Sequence, residues 1–287
     1  MQVELETQRF SPLMRQQELG RLLRELRSQQ QLNLGEAAHR VGWSRSKVGK
    51  VETGETLVFP GDIARLLDVY DADLDTRRRC GELVQQARAK PWWKEYQHGL
   101  GDLGPLVSLE TEASLIRYWQ PQLIPGQLQT EDYARAVIEA HYPWEDDLMI
   151  KLRVRARLAR QWITRCDNPV IIQAVIGEDA LRRPVGGPQV MAGQLAALVD
   201  AFERPNISIR VLPRSVGAHA GLTSGFLLIS FPSMLDALFL ESGTGGIIDH
   251  GPQVAEFGMR FEHIAAASLS PAASADLIVA IRRENRC

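Results

Sequence analysis

Between residues 15 and 30, Leu19, Leu22, Leu23 and Leu26 recur at i, i+3, i+4 and i+7 with arginines between them, which predicts an amphipathic helix. A second helix is expected from Asn33. Asparagine is a strong N-cap, Glu36 three residues on completes a capping box, Ala37, Ala38 and Val41 form an apolar face, and Gly42 is the stop. A third starts at the Ser44 cap, with Trp43 and Val48 placed as a hydrophobic staple and Gly54 as its end. A fourth follows Phe59-Pro60-Gly61 through Ile63, Leu66, Leu67 and Tyr70, and a fifth covers roughly 74–89.

The pattern changes near Lys90. Pro91-Trp92-Trp93, followed by Gly99, Gly101, Gly104 and Pro105, marks a boundary, with the two tryptophans expected to pack a linker against a domain. Beyond it, helices are expected over 109–118, 130–141, 146–165, 188–202, 254–267 and 271–282. Strands are expected over 169–176, 206–212, 226–231 and 235–240, the last two joined by a turn at Pro232-Ser233. The chain of 287 residues is long enough for two domains. The expected organisation is a mainly α domain over 1–90 (core about 15–75), a linker over 91–107, and an α+β domain over 108–287. There is no internal repeat and no low-complexity segment.

Composition narrows the class. With 45% hydrophobic and 24% charged residues the chain has ordinary globular character. A net charge of −2 excludes a uniformly basic coat. Yet residues 15–50 hold eight basic side chains against three acidic ones (Glu18, Glu25, Glu36), and residues 62–75 then turn acidic. One local cationic face on a neutral protein is the implied arrangement. No apolar run approaches the roughly 18–20 residues that span a bilayer, and no membrane role is expected. The start of the chain lacks the apolar segment of a signal peptide, and Cys80, Cys166 and Cys287 are far apart, so reduced thiols in a cytoplasmic protein are expected.

The third helix carries the cationic residues in a useful order. At about 100° per residue, Val48 and Val51 define its inner side, and Ser46, Lys50 and Thr53 fall opposite with Gly49 beside them. Arg45 and Lys47 project from the first turn. Two short helices joined at a glycine form a helix-turn-helix, and a helix with such a face fits the DNA major groove. Arg45 and Lys50 have the donors for guanine O6 and N7, Ser46 suits a base edge or phosphate, and Gly49 lets the backbone come close. N–H groups at the Asn33 and Ser44 helix starts suit phosphates.

The stretch LNLGEAAHRVGWSRSKVGKVETG resembles the Cro and phage-repressor (Xre-type) helix-turn-helix, through Ala38, Gly42, Ser44-Arg45-Ser46, Val48, Val51, Glu52 and Gly54. The resemblance implies that Arg45, Ser46 and Lys50 read bases. It also implies a structural pair between Arg27, late in the first helix, and Glu52, late in the third. The chain departs from the family pattern after the Asn33 cap, where a phosphate-binding glutamine is replaced by Leu34, leaving Arg40 or Lys47 for that contact.

The second domain offers little recognisable chemistry. No Walker loop, GxSxG elbow or zinc-spaced histidine pair is present, so no cofactor or metal is expected. Ser242-Gly243-Thr244-Gly245-Gly246 reads as a plain turn rather than a phosphate cradle. His219, in a glycine-flanked loop between two strands, has no identifiable partner. Glu178 and Glu241 at strand ends are a candidate carboxylate pair without a known separation. Cys166 follows Arg165 but has no base partner. No catalytic residue is assigned.

Four strings in this region, IRYWQPQLIPGQLQTEDYARAVIEA, GEDALRRPVGGPQVMAGQLAALV, LPRSVGAHAGLTSGFLLISFP and LSPAASADLI, resemble an antitoxin-like domain found after Xre-type modules in actinobacterial regulators. That resemblance implies a cytoplasmic transcriptional regulator and, less directly, a small acidic partner protein. The expectation is a non-enzymatic, homodimeric regulator that binds double-stranded DNA, with the C-terminal domain modulating binding through a partner protein or ligand. The rival readings are a one-component metabolite sensor and a DNA-tethered enzyme.

Overall fold

The computed structural model describes residues 11–232, 235–242 and 245–284. The chain forms two compact units, Met1–Lys94 and Glu95–Cys287. The first consists of α1 (Pro12–Gln29), α2 (Leu34–Val41), α3 (Arg45–Glu52), α4 (Pro60–Val69) and α5 (Leu74–Ala87). Helix α1 starts earlier than the leucine spacing predicts because Ser11 caps it, accepting from the Met14 N–H, and Pro12 suits the first turn. The Asn33–Glu36 capping box forms at α2, and Gly42 ends that helix at a left-handed φ of 72°. Leu19, Leu23, Val48, Val51, Leu66 and Tyr70 belong to one buried cluster. A wholly buried Leu23 or Val48 contributes about 1.5–3 kcal/mol. A Cβ at Gly20 would stand 2.8 Å from the carbonyl oxygens of Val51 and Glu52, so glycine is what lets α1 touch the end of α3.

The second unit is built on a six-stranded sheet of order β3-β2-β1-β4-β5-β6. Its strands are β1 (Leu115–Gln120), β2 (Ile171–Gly177), β3 (Ile207–Leu212), β4 (Phe226–Ser230), β5 (Ala237–Ser242) and β6 (Gly245–Asp249). Helices α6 (Gln97–Leu100) and α7 (Gly104–Glu112) precede β1. Helices α8 (Glu131–His141) and α9 (Asp147–Ala159), then a 3-10 turn at Arg160–Thr164, lead from β1 to β2. Helices α10 (Glu178–Arg182) and α11 (Pro188–Ala201) lead to β3, and α12 (Gln253–Ala267) and α13 (Pro271–Glu284) close the unit. β1, β2 and β3 are parallel, as their helical crossovers require, and β4, β5 and β6 add antiparallel. One sheet face carries Ile116, Tyr118, Ile172, Ala174, Ile207 and Ile209, all buried. The other packs Trp119, Val175, Phe226 and Leu228 against Phe261 and Ile264 of α12.

The mainly α and α+β classes are as expected, but several elements differ. The helix expected over 109–118 ends at Glu112, and Leu115–Gln120 is the central strand β1, paired to β2 and β4. A short apolar run fits either period, and partners distant in sequence decide it. The expected linker is instead a 3-10 helix at Trp92–Tyr96, then α6, a 3-10 turn at Gly101–Leu103 and the start of α7. Residues 160–164, expected as the end of a long helix, tighten to a 3-10 turn, where Arg160 is held by Glu110. Strand β6 was hidden by its glycines: Ser242 and Gly245 pair across the β5–β6 ladder, so the expected plain turn is part of a hairpin. Residues 1–10, Ser233, Gly243, Thr244, Cys287 and the side chain of Glu241, on which some expectations fall, lie outside the described residues. Among the described residues no single helix is long and apolar enough to cross a membrane.

Candidate nucleic-acid interface

The inner side of α3 is fixed by packing and by one ionic network. Val48 and Val51 enter the core. At the end of the helix, Arg27 Nε and Nη2 donate to the Glu52 carboxylate at 2.8 and 2.9 Å, while Arg27 Nη1 donates to the Leu32 carbonyl at 2.7 Å. The Tyr70 hydroxyl adds a third donor to Glu52 at 3.2 Å. The side chains of Arg27 and Glu52 are 12% and 4% exposed. Burial, and then the Glu52 charge, push the Tyr70 hydroxyl well above its ordinary pKa, and hydrogen bonding to Glu52 raises that of Arg27. The pair therefore anchors α3 to α1 and α4, and both partners face inward.

The opposite side of α3 is different. Arg45, Ser46 and Lys50 are exposed, and their side chains have no hydrogen-bond or ion-pair partner among the described residues. A Cβ at Gly49 would meet nothing within 4 Å, so the helix backbone is open to approach there. Thr53 lies at the far end of the same side, its hydroxyl turned to Glu55 at 2.8 Å.

Three expected contacts are arranged otherwise than the sequence suggested. Lys47 does not project freely: its ammonium lies 3.1 Å from Asp62 and 3.8 Å from the centre of the Trp43 ring. The Asn33 N–H is taken by Glu36 at 2.8 Å, and the Asn33 side chain accepts from Gly35 and Glu36. The Ser44 hydroxyl accepts from the Lys47 N–H at 3.1 Å. These caps close several of the N–H groups that a phosphate would use, because each cap satisfies its own helix first. Arg40 is exposed.

Tyr70, Asp62 and Trp43 were not assigned to the site from sequence. Asp62 reaches it from α4 and Tyr70 from the end of that helix, and no local spacing signals contacts made across fifteen and eighteen residues. Trp43 had been read only as a staple.

In the second unit, the candidate groups have structural partners. Glu178 accepts from Arg182 Nε at 2.7 Å and from the Arg214 N–H at 3.0 Å. His219 accepts from the Gly221 N–H at 3.1 Å and stacks edge-on against Trp119, whose indole donates to the Gly221 carbonyl at 2.8 Å. The loop histidine thus has the partner that the sequence did not reveal. Cys166 contacts the carbonyls of Ile163 and Asn168 at 3.6 Å, and burial pushes the Cys80 thiol up to about 11. Among the described residues no three His, Cys, Asp or Glu side chains converge to hold a metal ion.

A capped pair of short helices with one anchored and one unpartnered face defines a helix-turn-helix protein, the class to which DNA-binding regulators belong. The helix-turn-helix domain family matches residues 18–80. A second family, described as a domain of unknown function (DUF5753), matches residues 103–280, more than half of the chain, and the chain belongs to it. No curated protein and no solved structure matches the chain.

Proposed function

We propose that this protein is an Xre-type transcriptional regulator that lays α3 in the DNA major groove and reads bases with Arg45, Ser46 and Lys50. The observation that carries the reading is the asymmetry of α3. Every charged group on its inner side is paired, whereas its outer side presents two cations and a hydroxyl that no described residue engages. Exposed, uncommitted donors flanking a glycine are what base-edge contact requires. Arg40 is the phosphate-binding alternative to Lys47, since Lys47 would have to leave Asp62. An eight-residue helix reads few base pairs, so a homodimer on two half-sites about 34 Å apart completes the specificity.

The second unit is read as a cytoplasmic, antitoxin-like binding and dimerisation module without catalytic activity or cofactor, which modulates DNA affinity through a partner protein or ligand. In support, Glu178, His219 and Cys166 are each engaged locally, by Arg182 and the Arg214 N–H, by the Gly221 N–H, and with the Ile163 carbonyl.

Selection of bound duplexes from a random library by the full chain tests both halves. The recovered sequence should be an inverted repeat. Arg45→Ala and Lys50→Ala should each weaken binding by about 1–3 kcal/mol, relax preference at particular base pairs and leave the melting temperature unchanged. Wild-type affinity of both variants at matched salt would put the recognition face elsewhere.

A further inference from the structure

Parallel sheets are normally covered on both faces. Here α12 covers only part of one face of the β1–β2–β3 half. Where it stops, Ile171 is left 50% exposed, and a cleft of about 400 Å³ opens between the helix and the strands. Its volume is within the range of small-molecule sites. The floor is polar in a place where parallel strands are usually aliphatic. Arg117, Gln173 and Ser208 form one register row across the three strands, and Arg210 stands in the next row beside Val175. The helical wall is Phe261 and Glu262, then Ala265 and Ala266, whose small side chains leave the space.

The arginines at this cleft are held differently from those with structural duties. Arg27, Arg153 and Arg160 each make at least two carboxylate contacts of 2.6–2.9 Å. Arg210 makes one contact, to the Leu269 carbonyl at 3.3 Å. Arg117 meets Glu262 at 3.5 Å and stands 5.6 Å over the Phe261 ring, and its buried Nε–H has no acceptor among the described residues. Arg117, beside the lining, offsets the exposed Glu262 carboxylate, which leaves the charge of Arg210 unanswered in the cleft and its planar donors spare. Gln173 and Ser208 add side-chain donors that no described residue engages, while Val175, Phe261 and the alanines offer an apolar wall.

We infer that this cleft binds a small organic anion, its acidic group on Arg210 beside Gln173 and Ser208 and its apolar body against α12. The site is built from residues of the second unit alone, and its occupancy is measured without DNA, so its failure leaves the DNA-binding proposal standing.

The test is a ligand-observed NMR titration of the full chain with benzoate and phenyl phosphate as probes, and benzamide as the neutral counterpart of benzoate. At least one anion should bind saturably below about 10 mM, the range for a fragment of this size, and benzoate should exceed benzamide at least fivefold if it is the one that binds. Preference for benzoate marks a carboxylate site, and preference for phenyl phosphate a phosphate site. Arg210→Met, which keeps the apolar stem, should weaken binding at least tenfold. Ala266→Leu fills the cleft from an exposed helix position and tests it without touching charge, so it should do the same with unchanged melting. Arg260→Met, on α12 but paired with Glu256 outside the cleft, should have no effect. Absence of saturable binding by either anion, equal binding of benzamide and benzoate, or binding indifferent to both Arg210→Met and Ala266→Leu would overturn the assignment.

Discussion

Each unit buries a bidentate arginine–glutamate pair next to a tyrosine hydroxyl, and the two differ in how completely the surrounding groups are satisfied. In the first unit Arg27 grips Glu52 and the Leu32 carbonyl, and Tyr70 completes the carboxylate's shell. In the second, Arg160 grips Glu110 at 2.9 and 2.7 Å with side chains 9% and 1% exposed. Tyr118 stands beside that carboxylate. Burial and the Glu110 charge drive the Tyr118 hydroxyl far above its usual pKa, yet it makes no well-formed hydrogen bond, and neither does either end of the Gln127 amide. The first network joins the ends of α1, α3 and α4, where small adjustments let every donor find an acceptor. The second lies beneath the central strand, where the Tyr118 backbone is fixed by pairing on both sides. Deep ion pairs are costly to desolvate and more costly to break.

That contrast orders the expected effects of substitution. Glu110→Ala breaks the more deeply buried of the two pairs and should cost about 3–5 kcal/mol, read as a shift in urea midpoint. A cost below that of Glu52→Ala would mean that water reaches Arg160. Glu52→Ala should cost about 2–4 kcal/mol, less because its pair lies nearer solvent than Arg160 and Glu110. DNA binding should fall with the melting temperature. A fully stable Glu52→Ala protein that has lost only DNA binding would place Glu52 at the DNA surface and undo the division of α3 into two faces.

The tyrosines give a smaller and sharper contrast. Tyr70→Phe removes a made hydrogen bond and should destabilise by about 0.5–1.5 kcal/mol. Tyr118→Phe removes an unmade one and should be neutral or slightly stabilising. Equal costs for the two would show that something satisfies the Tyr118 hydroxyl.

The smallest effect is expected at Glu18, a half-way case in which a buried carboxylate meets one half-buried and one exposed arginine. Burial raises its pKa, but hydrogen bonds from Arg79 and Arg15 outweigh that and hold it below the usual range. A lowered folded-state value means stability that is complete above the unfolded value of about 4.3 and lost as pH falls through the folded one. Wild-type protein should therefore lose stability more steeply than Glu18→Gln between about pH 5 and pH 3, by roughly 1 kcal/mol given the exposure of Arg79. Parallel acid profiles for the two proteins would remove the ion pair from the account.

Much of the first unit and its candidate interface was readable because the relevant signals are local. Asn33 and Glu36 cap one turn, Gly42 supplies one dihedral, and Val48 and Val51 point the same way because a helix repeats every 3.6 residues. The outward position of Arg45, Ser46 and Lys50 follows from the same period. What Lys47 does was not readable, since Asp62 and Trp43 compete for it from two directions.

The sequence by itself determined the five N-terminal helices, the Asn33 and Ser44 caps, the polarity of α3 and most strands of the second unit, because these depend on spacing and dihedral preference within a few residues. Only the tertiary structure decided that Leu115–Gln120 is a strand, that β1 lies between β2 and β4, and that Glu110 meets Arg160 across fifty residues. Strand order and buried charge pairing are contests among distant partners, settled by which arrangement leaves the fewest backbone and charged groups unpaired in the interior. The cleft under α12 belongs to the same group. The alanines that shape it and the arginine that charges it are unremarkable in the chain and form a site only when a helix and two strands bring them together.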